Sequence, residues 1–562
     1  MGVPSLAPAP GSKRMPMWSP PGRSALRRAL LAQLAVCPVL AAHAGATAWG
    51  GQGLARRGLL ADWLLASLLG GGLLCWQRRP LPGIAALIAL LGLLFGAAHA
   101  KLAALGDWPR WSDLALWREA LAVLPAAATA VIALGAAALA MLAANLRLPS
   151  RAGVALSAAL LAAGSLPLGL PGATRNAIDA LFHWRPWVGN DPFSRGLLVA
   201  LARDAAEARL ASRMLADLEP LPSPRALGAG TTRNLHVVMA ESLTDPRDLG
   251  AGFPSASFDP RLAAWSRASA LAPHYGTGSA QSEFELLCGL PASAALPDPV
   301  VFNGLRGRPV PCLPRRLAAL GYRTIASVPV EPWFYNARRA YTSLGFEEAR
   351  FAPELPPGSR PGAAGSTREL MRDNRRLLAT RLAGDRPLFN YVVTVEPHFP
   401  FGATPSPGSG ARPPARTRLA AGLREATRAI ADHVEWLLER DPGGLIVVVG
   451  DHQTPGFAEG DAGPRLRRLR VPLALLDAGV PRAAGLVPHY ELTELLLSRL
   501  DGAPWPSAAR PWLRPLQGGS AFFSRGDGIG FCPDPRGERC AAVLAKAAAL
   551  EARTRRLVAM AR

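Results

Sequence analysis

Glu241 closes the apolar run "NLHVVMAES", Asp451 and His452 close "GGLIVVVGDH", and His398 follows "FNYVVTVEP". Runs of this length and make-up read as buried strands. A strand is thus expected to deliver an acid or an imidazole at each of these points. Singly, each is an ordinary loop residue or helix cap. Together, Glu241, Asp451 and His452 offer hard and borderline ligands suited to a divalent cation. Ser279 is the candidate for a fourth, oxygen ligand. It stands in "HYGTGSAQSEFELLCGLP", where small residues pass directly into an acidic, apolar segment that reads as a helix. An alcohol beside a divalent cation loses its proton more readily and becomes a nucleophile. Small neighbours let a phosphate come close, and a helix N-terminus favours an anion there.

The elements that must hold these residues alternate. "YRTIASVPV" and "RVPLALLDA" read as further strands; "LPRRLAAL", "TRELMRDNRRLLATRLA" and "LREATRAIADHVEWLLER" read as helices. Such alternation predicts an α/β domain with a mostly parallel central sheet over residues 231–562. Ligands of such sheets collect beyond the carboxyl ends of the strands, where the acids and imidazoles fall. Residues 173–230 predict an amphipathic helical linker ending in "EPLPSP".

The first 172 residues have a different texture. Uncharged or nearly uncharged stretches lie between Arg28 and Arg56, Arg57 and Arg78, Arg79 and Lys101, Glu119 and Arg147, and Arg151 and Arg175. Each reaches the roughly 20 residues that a spanning helix needs, so five transmembrane helices are expected. The first also offers small-residue cleavage sites of a signal peptide; the stretches that follow favour its retention. Lys13, Arg14, Arg23, Arg27 and Arg28 ahead of it predict a cytoplasmic N-terminus. Arg56, Arg57, Lys101, Arg110 and Arg118 count the other way. An odd number of spans puts the α/β domain outside the cytoplasm.

The chain has a formal net charge of +21, with 49% hydrophobic and 18% charged residues. The arginines are dispersed, and no zinc-finger spacing, aromatic RNA-binding motif or basic helix occurs, so no nucleic-acid partner is expected. Some of the charge suits anionic lipid. Cys288, Cys312, Cys532 and Cys540 fall in the external part, where two disulfides are expected; the short spacings favour Cys288–Cys312 and Cys532–Cys540.

"MAES", "GSAQSEFELLCGLP", "FYNARRAYTSLGF", "TVEPHFPF" and "VVVGDHQTP" occur in this order along the chain. In this the chain resembles the lipoteichoic-acid-synthase-like branch of the sulfatase/alkaline phosphatase superfamily, membrane phosphoglycerol transferases and their relatives. The resemblance implies a five-helix transmembrane bundle followed by a sulfatase/alkaline-phosphatase-like domain, in the bacterial inner membrane with the catalytic domain in the periplasm. It implies that Glu241, Ser279, Asp451 and His452 bind one divalent metal ion, manganese first, with magnesium or zinc as alternatives. Ser279 and His398 are then catalytic, Ser279 as nucleophile and His398 at the substrate or leaving group. Arg338, Asn336 and Thr277 are the expected substrate-binding residues.

Two departures matter. Many relatives carry Thr at the nucleophile, which makes Thr277 the second candidate; the spacing to "SEF" favours Ser279. Relatives also place Arg directly after the Asn of "FYN", where this chain has Ala337, with Arg338 displaced by one. "CLPRR" at Cys312 to Arg316 fits the pattern that sulfatases convert to formylglycine, but it lies well downstream of the Ser279 segment, and a disulfide is expected there instead. The activity implied is transfer of a phosphoglycerol-type headgroup from a phospholipid to a glycan or other external hydroxyl through a serine-linked intermediate. The alternatives are a phosphate or sulfate ester hydrolase and a phosphoethanolamine transferase.

Overall fold

The computed structural model describes residues 23–49, 56–105, 113, 118, 125–147, 151–169, 173, 196–202, 205, 233–250, 252–276, 278–292, 300–360, 366–398, 414–454, 466–505, 507, 510–516, 521–525, 528–532 and 540–561. Two units divide the chain. One comprises Met1–Gly96, Pro125–Leu170 and Phe193–Ala200; the other comprises Ala97–Leu124, Pro171–Pro192 and Leu201–Arg562. Most of the expected 173–230 linker lies outside the described residues.

Each of the five uncharged stretches contains a helix among its described residues. The helices run over Arg23–Leu31 with Gln33–Trp49, Arg56–Leu74, Pro80–Leu105, Pro125–Ala144 and Arg151–Gly169. Two segments, Leu26–Ala46 and Pro80–Lys101, are long and apolar enough to cross a membrane; Gly58–Leu74, Thr129–Ala144 and Gly153–Ala163 are apolar but shorter. Five full spans are therefore not met by length and composition among the described residues. In the first unit small residues let helices approach closely: a side chain on Gly72 would run into Leu161, and one on Gly70 into Leu87. Several buried polar groups there are paired. Asn145 Nδ2 donates to Gln77 Oε1 at 3.0 Å, Trp76 Nε1 donates to Ser157 Oγ at 2.6 Å, and Asp62 accepts from the amides of Leu197 and Leu198 at 2.7 and 2.8 Å.

The second unit is built on a nine-stranded sheet. Its strands are β1 (Leu235–Ala240), β2 (Ala268–Leu271), β3 (Arg323–Ser327), β4 (Glu348–Arg350), β5 (Leu388–Val393), β6 (Leu445–Gly450), β7 (Arg470–Asp477), β8 (Val480–Pro481) and β9 (Leu486–Pro488). The order is β4-β3-β5-β1-β6-β7-β2-β9, with β8 on β7. β4, β3, β5, β1 and β6 are parallel neighbours, while β7 runs against both β6 and β2. β1, β5 and β6 are buried at every position, as sheet covered on both faces requires. Leu235, Val237 and Met239 face a core shared with Phe284 and Leu287; Val238 and Ala240 face one shared with Leu370, Ile430 and Val434. A three-stranded antiparallel sheet, β10 (Leu513–Pro515), β11 (Ala521–Arg525) and β12 (Gly528–Cys532), follows. Disulfides join Cys288 to Cys312 and Cys532 to Cys540.

Candidate metal and nucleophile site

β5, β1 and β6 lie side by side and parallel, so their carboxyl ends open on one edge. Glu241 follows β1, and Asp451 with His452 follows β6. Ligand atoms of these three buried residues all lie within 4.8 Å of one another. The Ser279–Cys288 helix presents its first residue to the same point: Ser279 Oγ is 3.4 Å from Glu241 Oε2 and 3.5 Å from His452 Nε2. Gly278, which caps this helix, has φ of 95°, and a side chain on it would press on His274 at 3.2 Å. Only glycine takes that backbone without strain.

The ligands are oriented by their neighbours. His452 Nδ1 lies 3.0 Å from the Gln453 carbonyl. A carbonyl only accepts, so Nδ1 carries a proton there, and Nε2 faces Asp451 Oδ2 at 3.3 Å. Asp451 Oδ1 accepts from the amides of Ser242 and His452 at 2.7 and 2.6 Å. Its other oxygen, Oδ2, is buried without a hydrogen bond. Glu241 Oε1 accepts from Ser242 Oγ at 2.7 Å. Burial pushes the Asp451 carboxyl up to about 7, and the charge of Glu241 adds to this. Burial also works against charge on Glu241, but His398 and His452 outweigh it and hold that carboxyl below its usual range. The site gathers two carboxylates, leaves one carboxylate oxygen without a hydrogen bond, and turns an imidazole nitrogen inward. This donor set fits a divalent cation.

His398 is exposed, and its charge acts on Glu241. The remaining expected residues are placed differently. Thr277 lies outside the described residues. The Asn336 amide donates to the carbonyls of Phe302 and Leu305 at 2.9 and 2.7 Å. Arg338 pairs with Glu354 at 2.6 Å and lies 5.0 Å over the Phe351 ring. The described contacts of both are thus away from the Glu241 cluster. Cys312 is consumed by its disulfide.

Several supports have no counterpart in the sequence reading. Thr394 Oγ1 accepts from the Glu241 amide at 3.0 Å, Ser282 Oγ donates to the Asp451 carbonyl at 2.6 Å, and Thr454 Oγ1 donates to the Ser242 carbonyl at 3.0 Å. Glu283 is buried and accepts from the hydroxyls of Tyr341 and Tyr391, tying the serine helix to β5 and to the Ala337–Leu344 helix. Burial pushes its carboxyl up to about 8. Ser282 and Glu283 stand inside "GSAQSEF", one helical turn beyond Ser279. That spacing was the available signal.

Residues 233–496 match the model of the sulfatase family. Over 252 residues the chain is 27% identical to a protein of Rhizobium meliloti (strain 1021) whose name refers to cyclic beta-1,2-glucan modification. That match covers 42% of this chain and 38% of the relative, so the chain spans well under half of its length. Among solved structures, the lipoteichoic acid synthase LtaP from Listeria monocytogenes is similar at a TM-score of 0.47 and 15% identity, covering 62% of this chain and 96% of that one. The phosphoglycerol transferase GacH of Streptococcus pyogenes, solved with sn-glycerol-1-phosphate, gives 0.37 and 17%, covering 53% and 81%.

Proposed function

With residues 233–496 a sulfatase-family enzyme domain, we propose that the chain is a membrane-anchored phosphotransferase that moves a phosphoglycerol-type headgroup from a phospholipid to an external hydroxyl. The observation that carries this reading is the Ser279 hydroxyl turned onto Glu241 and His452 at the head of a helix. A divalent cation held by Glu241, Asp451 and His452, manganese first, with magnesium or zinc as alternatives, supplies charge neutralisation at the phosphate and a lower pKa for the serine.

The chain's own residues do the rest. Ser279 gives its proton to solvent water and its oxygen bonds to phosphorus, while the bond from phosphorus to the diacylglycerol oxygen breaks. That oxygen takes up a proton, for which His398, exposed and electrostatically coupled to Glu241, is the donor. The glycerol phosphate is then esterified to Ser279. An acceptor hydroxyl, on a glycan in this reading, attacks phosphorus and gives its proton to His398, which lost one in the first step. The bond from phosphorus to Ser279 Oγ breaks, and Ser279 takes a proton back from solvent. Asp451, held by the amides of Ser242 and His452, keeps the site in place through both steps.

The proposed anchor is a five-helix bundle with its N-terminus in the cytoplasm and the enzyme domain in the periplasm. Arg118, from the stretch between the Pro80–Leu105 and Pro125–Ala144 helices, lies 5.4 Å over the Trp333 ring of the enzyme domain. This supports a topology in which that stretch and the domain share one side of the membrane. Reporter fusions after Lys101 and at the C-terminus are expected to signal outside; a cytoplasmic signal from either refutes the topology. The activity is tested by incubating the full-length protein with headgroup-labelled phosphatidylglycerol and manganese. Diacylglycerol release with label moved to an acceptor is expected. Label released only to water makes the chain a hydrolase, and no release refutes the reading.

A further inference from the structure

A phosphodiester brings anionic oxygens that one cation cannot cover alone, and charge-assisted contacts from Arg commonly meet them. The arginine nearest the "FYN" segment is otherwise engaged: Arg338 pairs with Glu354. Arg470 is likewise paired, with Asp248 at 3.0 Å. Arg468 differs. Its guanidinium lies 5.6 Å over the ring of Tyr275, and among the described residues no carboxylate pairs with it.

Both tethers of Arg468 belong to the site. Tyr275 stands in the loop that leads into Ser279. The short Leu466–Leu469 turn that carries Arg468 is gripped by Gln453, the residue after His452. The Gln453 amide, buried, donates to the carbonyls of Arg467 and Arg470 at 2.9 and 2.7 Å. Leu469 anchors the turn from below, packed with Leu271, Trp512 and Phe522. The turn is therefore fixed by the ligand loop, and its arginine is fixed by the nucleophile loop. A guanidinium lying on an aromatic face leaves its N–H edge available to an anion.

We propose that Arg468 is a substrate-binding residue that grips the anionic oxygens of the phosphodiester at Ser279. This rests on the phosphotransferase reading. It predicts weaker binding of phosphate groups, with little loss of turnover at saturation, when the guanidinium is removed.

The test uses full-length protein in detergent with manganese, as wild type, Arg468→Met and Arg468→Lys. Phosphatidylglycerol turnover and the direct calorimetric binding of inorganic phosphate are measured separately. In Arg468→Met, KM and the phosphate Kd are each expected to rise about tenfold, with kcat within about twofold. Arg468→Lys, which keeps the charge, is expected to recover part of the loss. An unchanged Kd in Arg468→Met, or no phosphate binding by the wild type, overturns the proposal. A fall in kcat alone also overturns it. Wild-type protein that binds phosphate through Arg468 and leaves phosphatidylglycerol intact supports the anion seat and refutes the lipid-transfer reading.

Discussion

In the helical unit Leu30, Leu60, Leu81 and Leu134 are 61%, 64%, 74% and 56% exposed, whereas in the α/β unit Leu235, Phe389, Ile446 and Val448 are fully buried. The polar groups of the two units contrast as well. Asp62, Gln77, Asn145 and Ser157 are buried among helices and each has a hydrogen-bond partner. Asp451 is buried at a strand end with one oxygen unpartnered. Apolar side chains turned outward suit a lipid surrounding, where each unpaired polar group costs several kcal/mol and so must be paired. Several other buried polar atoms of the α/β unit also lack a hydrogen-bond partner, His433 among them, but at the site the unpartnered atom is a carboxylate oxygen among candidate ligands. Asp451 Oδ2 lies among the candidate ligands Glu241 and His452, and substitutions should act most strongly there.

Ser279→Ala gives the largest expected effect. The site loses its nucleophile, so turnover of labelled phosphatidylglycerol should fall by at least about three orders of magnitude. The protein should stay folded, because only one hydroxyl at a helix start is removed. Asp451→Ala and His452→Ala should lose both turnover and bound metal, read by elemental analysis. Full activity in Ser279→Ala with a dead Thr277→Ala moves the nucleophile to Thr277. Full activity in both breaks the covalent route.

Asp62→Ala tests the other side of the comparison. It strips the acceptor from the amides of Leu197 and Leu198. The expected loss is about 1–3 kcal/mol, seen as a lower melting temperature in detergent. KM for the lipid should be unchanged, since Asp62 belongs to the helical unit. An unchanged melting temperature would mean that pairing inside this unit carries no stability.

The contrast bears on what could be read ahead of the structure. β1, β3, β5 and β6 were legible because burial on both faces demands continuous apolar runs, and the acids after β1 and β6 stand at their ends for the same reason. β4, "EAR", and β2, "ASAL", carry no such signature; pairing with neighbours makes them strands. The direction of β7 was hidden too, since "RVPLALLDA" reads the same either way and only its connection reverses it. At the site, ligand types at strand ends were visible. The hydroxyls of Ser242, Thr394 and Thr454 were not, because a hydroxyl in a loop has many uses and only tertiary contact selects one. Glu396 also stands at a strand end, and its Oε2 accepts from the Thr367 amide at 3.1 Å. The pairing of Arg338 with Glu354 was hidden as well, since the two are neighbours only in space.

The smallest effect concerns a polar group that the α/β unit buries far from the ligands in sequence. His433, on the Ala415–Arg440 helix, is fully buried, and neither ring nitrogen has a hydrogen-bond partner. Its ring lies against Trp436. Burial drives its pKa down to about 3, and the charges of Arg375 and His236 add to this. The unfolded chain, with an ordinary value near 6.5, binds the proton that the folded chain refuses. Stability is therefore complete above about pH 6.5 and falls as the pH drops toward 3, by about 1.4 kcal/mol per pH unit for this one group. At pH 5 the loss is about 2 kcal/mol. His433→Leu removes the titrating group and leaves no hydrogen bond broken, so it should be neutral or stabilising at pH 7. Denaturant midpoints of wild type and variant, measured at pH 7 and pH 5, decide this. The wild type should lose more stability between the two than His433→Leu does. Equal losses would mean that His433 is protonated in the folded chain, and that this buried polar group is paired after all.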